Sequence, residues 1–333
     1  MRRDVSFTSE GAVLRGWLYT PHAAPPWPLV VMAHGFSATR GMAADAYAEV
    51  FQRAGLAVLL YDHRGFGSSE GQPRHQINPW IQARGYRDAI TSASDLEGVD
   101  PDRIVLWGDS LSGGVALAVT AVDPRVAALV VQVPAIGSEP PPPDPDGALY
   151  AAFRETLLAG NVEASPGEVL GPMPVVSDDQ VRRPSALRPL TAYRWFIEYG
   201  GRLGSGWVND VTRAVPGTPV PWHPGLCSPH VSCPALFVVA PQDEMPFSVP
   251  SVSRVAFERL AGPKAWLEVD GGHFGLLYVP SPAFDRASSA EAQFLARYLV
   301  RRDQPVRGRA STTERGHPGG GAADDQVRSR SAS

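Results

Sequence analysis

Three residues of this chain could together activate a nucleophile. Ser110 lies in R-I-V-L-W-G-D-S-L-S-G-G, residues 103–114, where an apolar run from Ile104 to Trp107 meets Gly108. Small residues then lead into the apolar stretch Val115 to Val122. This pattern predicts a strand, a tight turn and a helix, with the serine held at the apex in a strained conformation. A serine hydroxyl is a poor nucleophile at neutral pH. It needs a base to take its proton and an acid to orient that base. His273, in D-G-G-H-F-G, is the base candidate, because of the eight histidines it alone sits in a glycine-flanked loop after the final strand. His34 is its rival, but a histidine directly before Gly35 is better suited to shaping an anion site.

The acid candidate is Asp243 in A-P-Q-D-E-M-P, with Glu244 beside it and Asp270 near His273 as alternatives. Asp243 follows a strand end on the rim that Ser110 shares, and Glu244 is expected to point away from it. The chain order is then Ser110, Asp243, His273. A developing oxyanion needs preorganised N–H donors, for which the Leu111 and Phe36 amides are the candidates. The turn departs from G-x-S-x-G in one place, because Ser112 stands where the last glycine belongs. A second frame, with Ser112 as nucleophile and Gly114 closing the motif, is weaker because its first glycine would be Ser110.

The elements that must position these residues follow from hydrophobic patterning. Val5 to Tyr19 alternates about Glu10-Gly11 and predicts an antiparallel hairpin. Pro28–Ala33, Leu56–Tyr61, Val126–Val133, Ala235–Ala240 and Ala265–Val269 are short apolar runs of the kind buried on both faces. Helical spacing falls between them, over Tyr47–Ala54, Trp80–Leu96 (closed by Asp100-Pro101), Phe247–Leu260 and Pro282–Val300. The alternation predicts an α/β fold with a doubly wound, mostly parallel sheet. Its crossovers gather His34, Asp62, Ser110 and Asp243 on one rim.

Residues 1–133 and 233–302 make up this core, and residues 134–232 break the pattern. A structureless loop of that length is improbable in a compact domain, so the segment is expected to be an inserted cap. Its helix is expected over Ser185–Tyr199, with Trp195 and Phe196 lining a substrate pocket. For any one of these aromatics, packing of the cap onto the core is the competing role. Residues 303–333 are rich in small and charged residues without aromatics and are expected to be disordered.

Composition removes several function classes. A net charge of -4 argues against nucleic-acid binding, and no apolar run is long enough to span a membrane. The two cysteines, Cys227 and Cys233, lack the spacing of a zinc site, and no metal is expected. The sequence leaves a disulfide between them open; two free thiols are the simpler reading and, with no signal peptide, point to the cytoplasm.

The segments H-G-F, D-H-R-G-F-G-S-S, W-G-D-S-L-S-G-G, A-P-Q-D-E-M-P and G-G-H-F fall in the order and spacing of the α/β-hydrolases. The chain resembles that superfamily over roughly residues 5–300, the cap apart. Within it, the glycine-rich turn and the elbow resemble dienelactone-hydrolase-like esterases and polyketide thiohydrolase or acyl-transferase relatives. The resemblance implies a cofactor-independent serine enzyme acting on a small-molecule ester or thioester through an acyl-enzyme. Acyl transfer to an alcohol or amine is a second possibility, and a non-catalytic ligand-binding homologue a third. Haloalkane and epoxide chemistry needs a carboxylate at the elbow, where Ser110 stands instead. The fold alone does not select a substrate.

Overall fold

The computed structural model describes residues 1–159 and 167–300. The hairpin consists of β1 (Arg2–Ser9) and β2 (Ala12–Tyr19), with Arg2 opposite Tyr19. Next come β3 (Trp27–Ala33), α1 (Ala44–Arg53), β4 (Ala57–Tyr61), the two-residue β5 (Gln76–Ile77) and α2 (Pro79–Ser94). They are followed by β6 (Val99–Asp109), α3 (Ser110–Val122) and β7 (Val126–Gln132). After β7 the chain runs through α4 (Ala148–Ala159), β8 (Gly167–Met173), α5 (Leu190–Gly200) and β9 (Val211–Pro216). It ends with β10 (Ala235–Val239), α6 (Pro250–Glu258), β11 (Lys264–Glu268) and α7 (Pro282–Leu295).

Eight strands form one sheet in the order β1-β2-β4-β3-β6-β7-β10-β11. β2 is antiparallel to both its neighbours, and every pair from β4 onward is parallel. Alternate residues of a strand face opposite sides of a sheet. Leu29, Val31 and Ala33 of β3 accordingly join a core with α2, α3 and α6, while Val30 and Met32 join another with α1 and α7. All five are 0% exposed. Full burial of a large apolar side chain contributes about 1.5–3 kcal/mol, which is why these strands read as continuous apolar runs.

α2 shows how the rim is braced. Asn78 caps it, accepting from the amides of Trp80 and Ile81, and Pro79 opens it. Tyr86 of α2 donates its hydroxyl to the Trp107 carbonyl at 2.7 Å and accepts the Ala33 amide at 3.2 Å. One side chain thus pins the ends of β3 and β6 together.

The segment between β7 and β10 divides in two. Phe153 and Leu157 of α4, with Leu226 and Cys227, join the core under α2 and α3, and the Phe153 ring lies 4.7 Å from Trp80. α5 packs on the other face, beside the loops that follow β10 and β11. β8 and β9 form a small sheet with β5; β8 is largely exposed and β9 mostly half-buried, so no buried run marks them.

Some boundaries differ from the sequence expectation. Asp100-Pro101 lies inside β6, and α2 stops at Ser94. α5 begins at Leu190 because the Ala186 and Leu187 amides donate to Pro174 and Val175, which holds that stretch extended up to Pro189. α6 begins at Pro250, leaving Phe247 outside it and 47% exposed. The tail, residues 303–333, lies outside the described residues. Among the described residues no helix is long and apolar enough to cross a membrane.

Candidate active site

Ser110 sits between β6 and α3 with φ at 51°, in the left-handed region that only glycine enters freely. Holding a non-glycine residue there costs about 1–3 kcal/mol, which the surrounding structure must offset. Part of that support is the Ala135 amide, which donates to the Ser110 carbonyl at 2.8 Å. Ser112 lies in the first turn of α3 and is 0% exposed. Its hydroxyl donates to the His34 carbonyl at 2.5 Å and contacts His63 Nε2 at 2.9 Å. A hydroxyl has one proton, so His63 is the donor in that second contact. The geometry therefore puts Ser110, not Ser112, where a substrate could reach it.

Asp243 and His273 come from loops after β10 and β11. Asp243 Oδ2 accepts from His273 Nδ1 at 2.8 Å, and both side chains are 2% exposed. The other carboxylate oxygen, Oδ1, accepts the Met245 amide at 2.9 Å, which fixes the carboxylate plane. With Nδ1 committed to Asp243, the Nε2 lone pair is left for a proton from elsewhere. Asp270 is exposed. Glu244 accepts the His273 amide at 2.8 Å and the Thr191 hydroxyl.

The His34-Gly35-Phe36 loop presses against the elbow. A Cβ on Gly35 would lie 2.9 Å from Asp109 Oδ2 and 3.0 Å from Ser110 Cβ, so only glycine fits this approach. Gly35, Phe36, Ser110, Trp195, Phe196 and His273 line one small cavity. Leu111 follows Ser110 in the first turn of α3, where backbone amides lack intrahelical partners. His34 is buried, and burial lowers its pKa, which favours the neutral ring. His34 Nε2 accepts the His63 amide at 3.4 Å, so Nδ1 carries the proton toward the Gly35 carbonyl at 3.0 Å. Asp62 braces the glycine-rich turn, accepting the Arg40 amide at 2.7 Å and its guanidinium at 2.9 Å.

Sequence reasoning missed the placement of three residues. Asp109, directly before the serine, also lines the cavity. Burial pushes its carboxyl up to about 6, while the His273 charge pulls in the opposite direction. Ser112 and Glu244 gain their partners only through folding, across 78 and 29 residues of chain. The one local signal was the serine in a position where the motif asks for glycine.

A strained serine carried from a central parallel strand into a helix, on a sheet of this order, is the arrangement of the α/β-hydrolases, and the chain is an enzyme of that class. It belongs to the family described as serine aminopeptidase, S33, which matches residues 24–192. The quorum-quenching protein AidA of Acinetobacter baumannii (strain MDR-ZJ06) is 31% identical over 305 residues, covering 89% of this chain and 95% of that one. The thiohydrolase aneE of Aspergillus aculeatus is 32% identical over 312 residues, covering 89% and 93%. Among solved structures, the α/β-hydrolase GrgF from Penicillium sp. sh18 superposes with a TM-score of 0.68 at 29% identity, covering 90% of this chain and 99% of that one.

Proposed function

We infer that the protein cleaves a small-molecule carboxylic ester or thioester with Ser110, His273 and Asp243 as its catalytic triad. The observation that carries this is the Asp243–His273 contact of 2.8 Å, facing the same cavity as a serine strained to φ 51°. Ser110 Oγ attacks the acyl carbonyl while His273 Nε2 takes its proton. Asp243 stabilises the resulting imidazolium. The Phe36 and Leu111 amides hold the oxyanion, each such donor being worth about a hundredfold or more in rate. His273 then returns the proton to the departing alkoxide or thiolate, leaving the acyl group on Ser110. A water deprotonated by His273 releases the acid and restores the serine.

α5 and its flanks act as a cap in this scheme, with Trp195 and Phe196 against the acyl chain. Leu187, Met245 and Phe274 add apolar wall. That mostly apolar lining favours a second reading, in which an alcohol or amine replaces water at deacylation. Relatives named as polyketide transferases, among them grgF of Penicillium sp at 40% identity over 138 residues, support it. The setting we propose is the cytoplasm, where Cys227 and Cys233 would stay reduced.

The test is a panel of p-nitrophenyl esters and acyl thioesters with wild type and Ser110→Ala, alongside labelling by a serine-directed phosphonate. Turnover and labelling that depend on Ser110 support the reading, and turnover that survives the substitution overturns it. Product analysis with and without an alcohol acceptor separates hydrolysis from transfer.

A further inference from the structure

His273 follows two glycines, Gly271 at φ 128° and Gly272, and opens a 3-10 turn over His273–Leu277, so the segment that leads into it has little stiffness of its own. Asp243 holds the ring, but a hydrogen bond to one ring nitrogen cannot fix where the backbone places that ring. The backbone is held by the neighbouring carboxylate. Glu244 Oε2 accepts the His273 amide at 2.8 Å. A Cβ on residue 272 would lie 2.5 Å from that same oxygen, so Gly272 leaves the space through which Glu244 reaches the histidine. The adjacent residues 243 and 244 thus grip His273 at ring and backbone.

The other end of Glu244 leads into α5, where Oε1 accepts the Thr191 hydroxyl. Four and eight residues further along the same helix face, Trp195 and Tyr199 make matching contacts. Trp195 Nε1 donates to the Leu277 carbonyl at 3.2 Å, and the Tyr199 hydroxyl accepts the Val279 amide at 2.6 Å. Phe274, next to the base, packs 5.3 Å from Trp195 and 6.1 Å from Phe196, ring centre to ring centre. One stripe of α5 therefore bonds both to the carboxylate that holds the His273 amide and to the chain just after His273.

We propose that Glu244 is a positioning residue for His273, tied through Thr191 to α5, so that the helix lining the acyl pocket also sets the catalytic base. The inference rests on the reading of His273 as that base. Glu244 touches neither substrate nor the reacting atoms. It acts through the position of the imidazole, and a misplacement of about 1 Å can cost on the order of a hundredfold in rate.

Steady-state kinetics on p-nitrophenyl acetate test it in the full-length protein, with Glu244→Ala, Glu244→Gln, Thr191→Ala and Ser110→Ala. The small acetyl group avoids effects from the acyl pocket. Glu244→Ala should lower kcat by roughly tenfold to a hundredfold while KM stays within about twofold, because placement of the base is lost and binding is not. Glu244→Gln should recover most of the loss. Its carbonyl can still accept the His273 amide, and its NH2 can donate to the Thr191 oxygen. Thr191→Ala should fall between the two.

Equal impairment by Ala and Gln, or loss of kcat that tracks loss of melting temperature across the set, overturns the proposal. So does wild-type kcat in Glu244→Ala when Ser110→Ala is inactive, a result that leaves the serine-hydrolase reading standing. Activity retained by Ser110→Ala removes that reading itself. Should Glu244→Ala not fold, the comparison of Thr191→Ala with Glu244→Gln still decides, since the proposal requires Thr191→Ala to lose more turnover.

Discussion

The Ser112 hydroxyl donates to the His34 carbonyl at 2.5 Å, and this bond ties the first turn of α3 to the loop that would bind the oxyanion. His63 Nε2 lies 2.9 Å from the same hydroxyl, so three strand ends meet at one oxygen. A glycine in this position, as the general motif has it, would lack that oxygen.

The first prediction follows from this bond. Ser112→Ala leaves a buried carbonyl and a buried ring N–H unpaired, which costs about 1–3 kcal/mol for each group left unsatisfied. The variant should unfold at a lower denaturant midpoint yet still be labelled by a serine-directed phosphonate, at Ser110. Ser110→Ala should show the reverse, with stability nearly unchanged, because alanine keeps the Cβ and with it the left-handed strain, and labelling lost. Mass spectrometry of the labelled peptide decides, and a label on Ser112 would defeat the assignment.

Asp243 and Asp270 lead to the second prediction. Asp243 is 2.8 Å from His273 Nδ1 with its side chain 2% exposed, whereas Asp270 is at the surface. Asparagine at 243 keeps the shape but can present its NH2 to the ring and favour the wrong tautomer. In the serine-protease template that change costs roughly ten-thousandfold in turnover. Asp243→Asn should thus lose several orders of magnitude in kcat with an unchanged circular dichroism spectrum, and Asp270→Asn should lose far less. A severe lesion at 270 with a mild one at 243 would reverse the assignment of the acid.

Much of this architecture was legible because burial on both faces leaves a plain trace. The runs at Pro28–Ala33 and Ala235–Ala240 are continuous and apolar, and each became a strand paired on both sides. The elbow was legible because tight turns restrict residue size. β8 was not, because it is exposed along most of its length and carries no alternation to read. The start of α5 was misplaced by five residues, since pairing of Ala186 and Leu187 with Pro174 and Val175 overrides local helical spacing. At the site, residue types identify candidates for nucleophile, base and acid. They offer Glu244 only as an alternative acid and say nothing of its contacts, because its partners Thr191 and His273 lie on separate elements.

The third prediction concerns pH. Glu291 of α7 is fully buried and accepts the Trp107 indole N–H at 3.0 Å. Burial pushes its carboxyl from 4.5 up to about 8. Between those values the folded state holds a proton that the unfolded state has released. The stabilisation is whole below the lower value, declines as pH rises, and is lost once pH passes the upper one. The slope is at most about 1.4 kcal/mol per pH unit. Glu291→Gln keeps an acceptor for Trp107 and cannot ionise. Its stability relative to wild type should therefore climb between about pH 5 and pH 8 in urea titrations. A difference that stays flat over that range would show that Glu291 ionises normally.

Trp195 and Phe196 both line the cavity, both are 2% exposed, and their rings meet edge to face at 4.9 Å. They should nevertheless behave differently. Trp195 also donates to the Leu277 carbonyl at 3.2 Å, on the segment that carries His273. Phe196 has only ring contacts, with Trp207 at 5.4 Å and Phe274 at 6.1 Å. Trimming Phe196 makes room along the acyl pocket, and each methylene newly buried there is worth about 0.8 kcal/mol, or roughly fourfold in kcat/KM. Phe196→Ala should raise the ratio of kcat/KM for an octanoyl over an acetyl p-nitrophenyl ester by roughly tenfold or more, while Trp195→Ala should lower turnover of both. A buried Phe→Ala change can cost about 3–5 kcal/mol in stability, so Phe196→Leu serves as the gentler variant and should shift the ratio in the same direction. Proportional loss on every ester, in step with a falling melting temperature, would make Phe196 a packing residue with no part in acyl-chain selection.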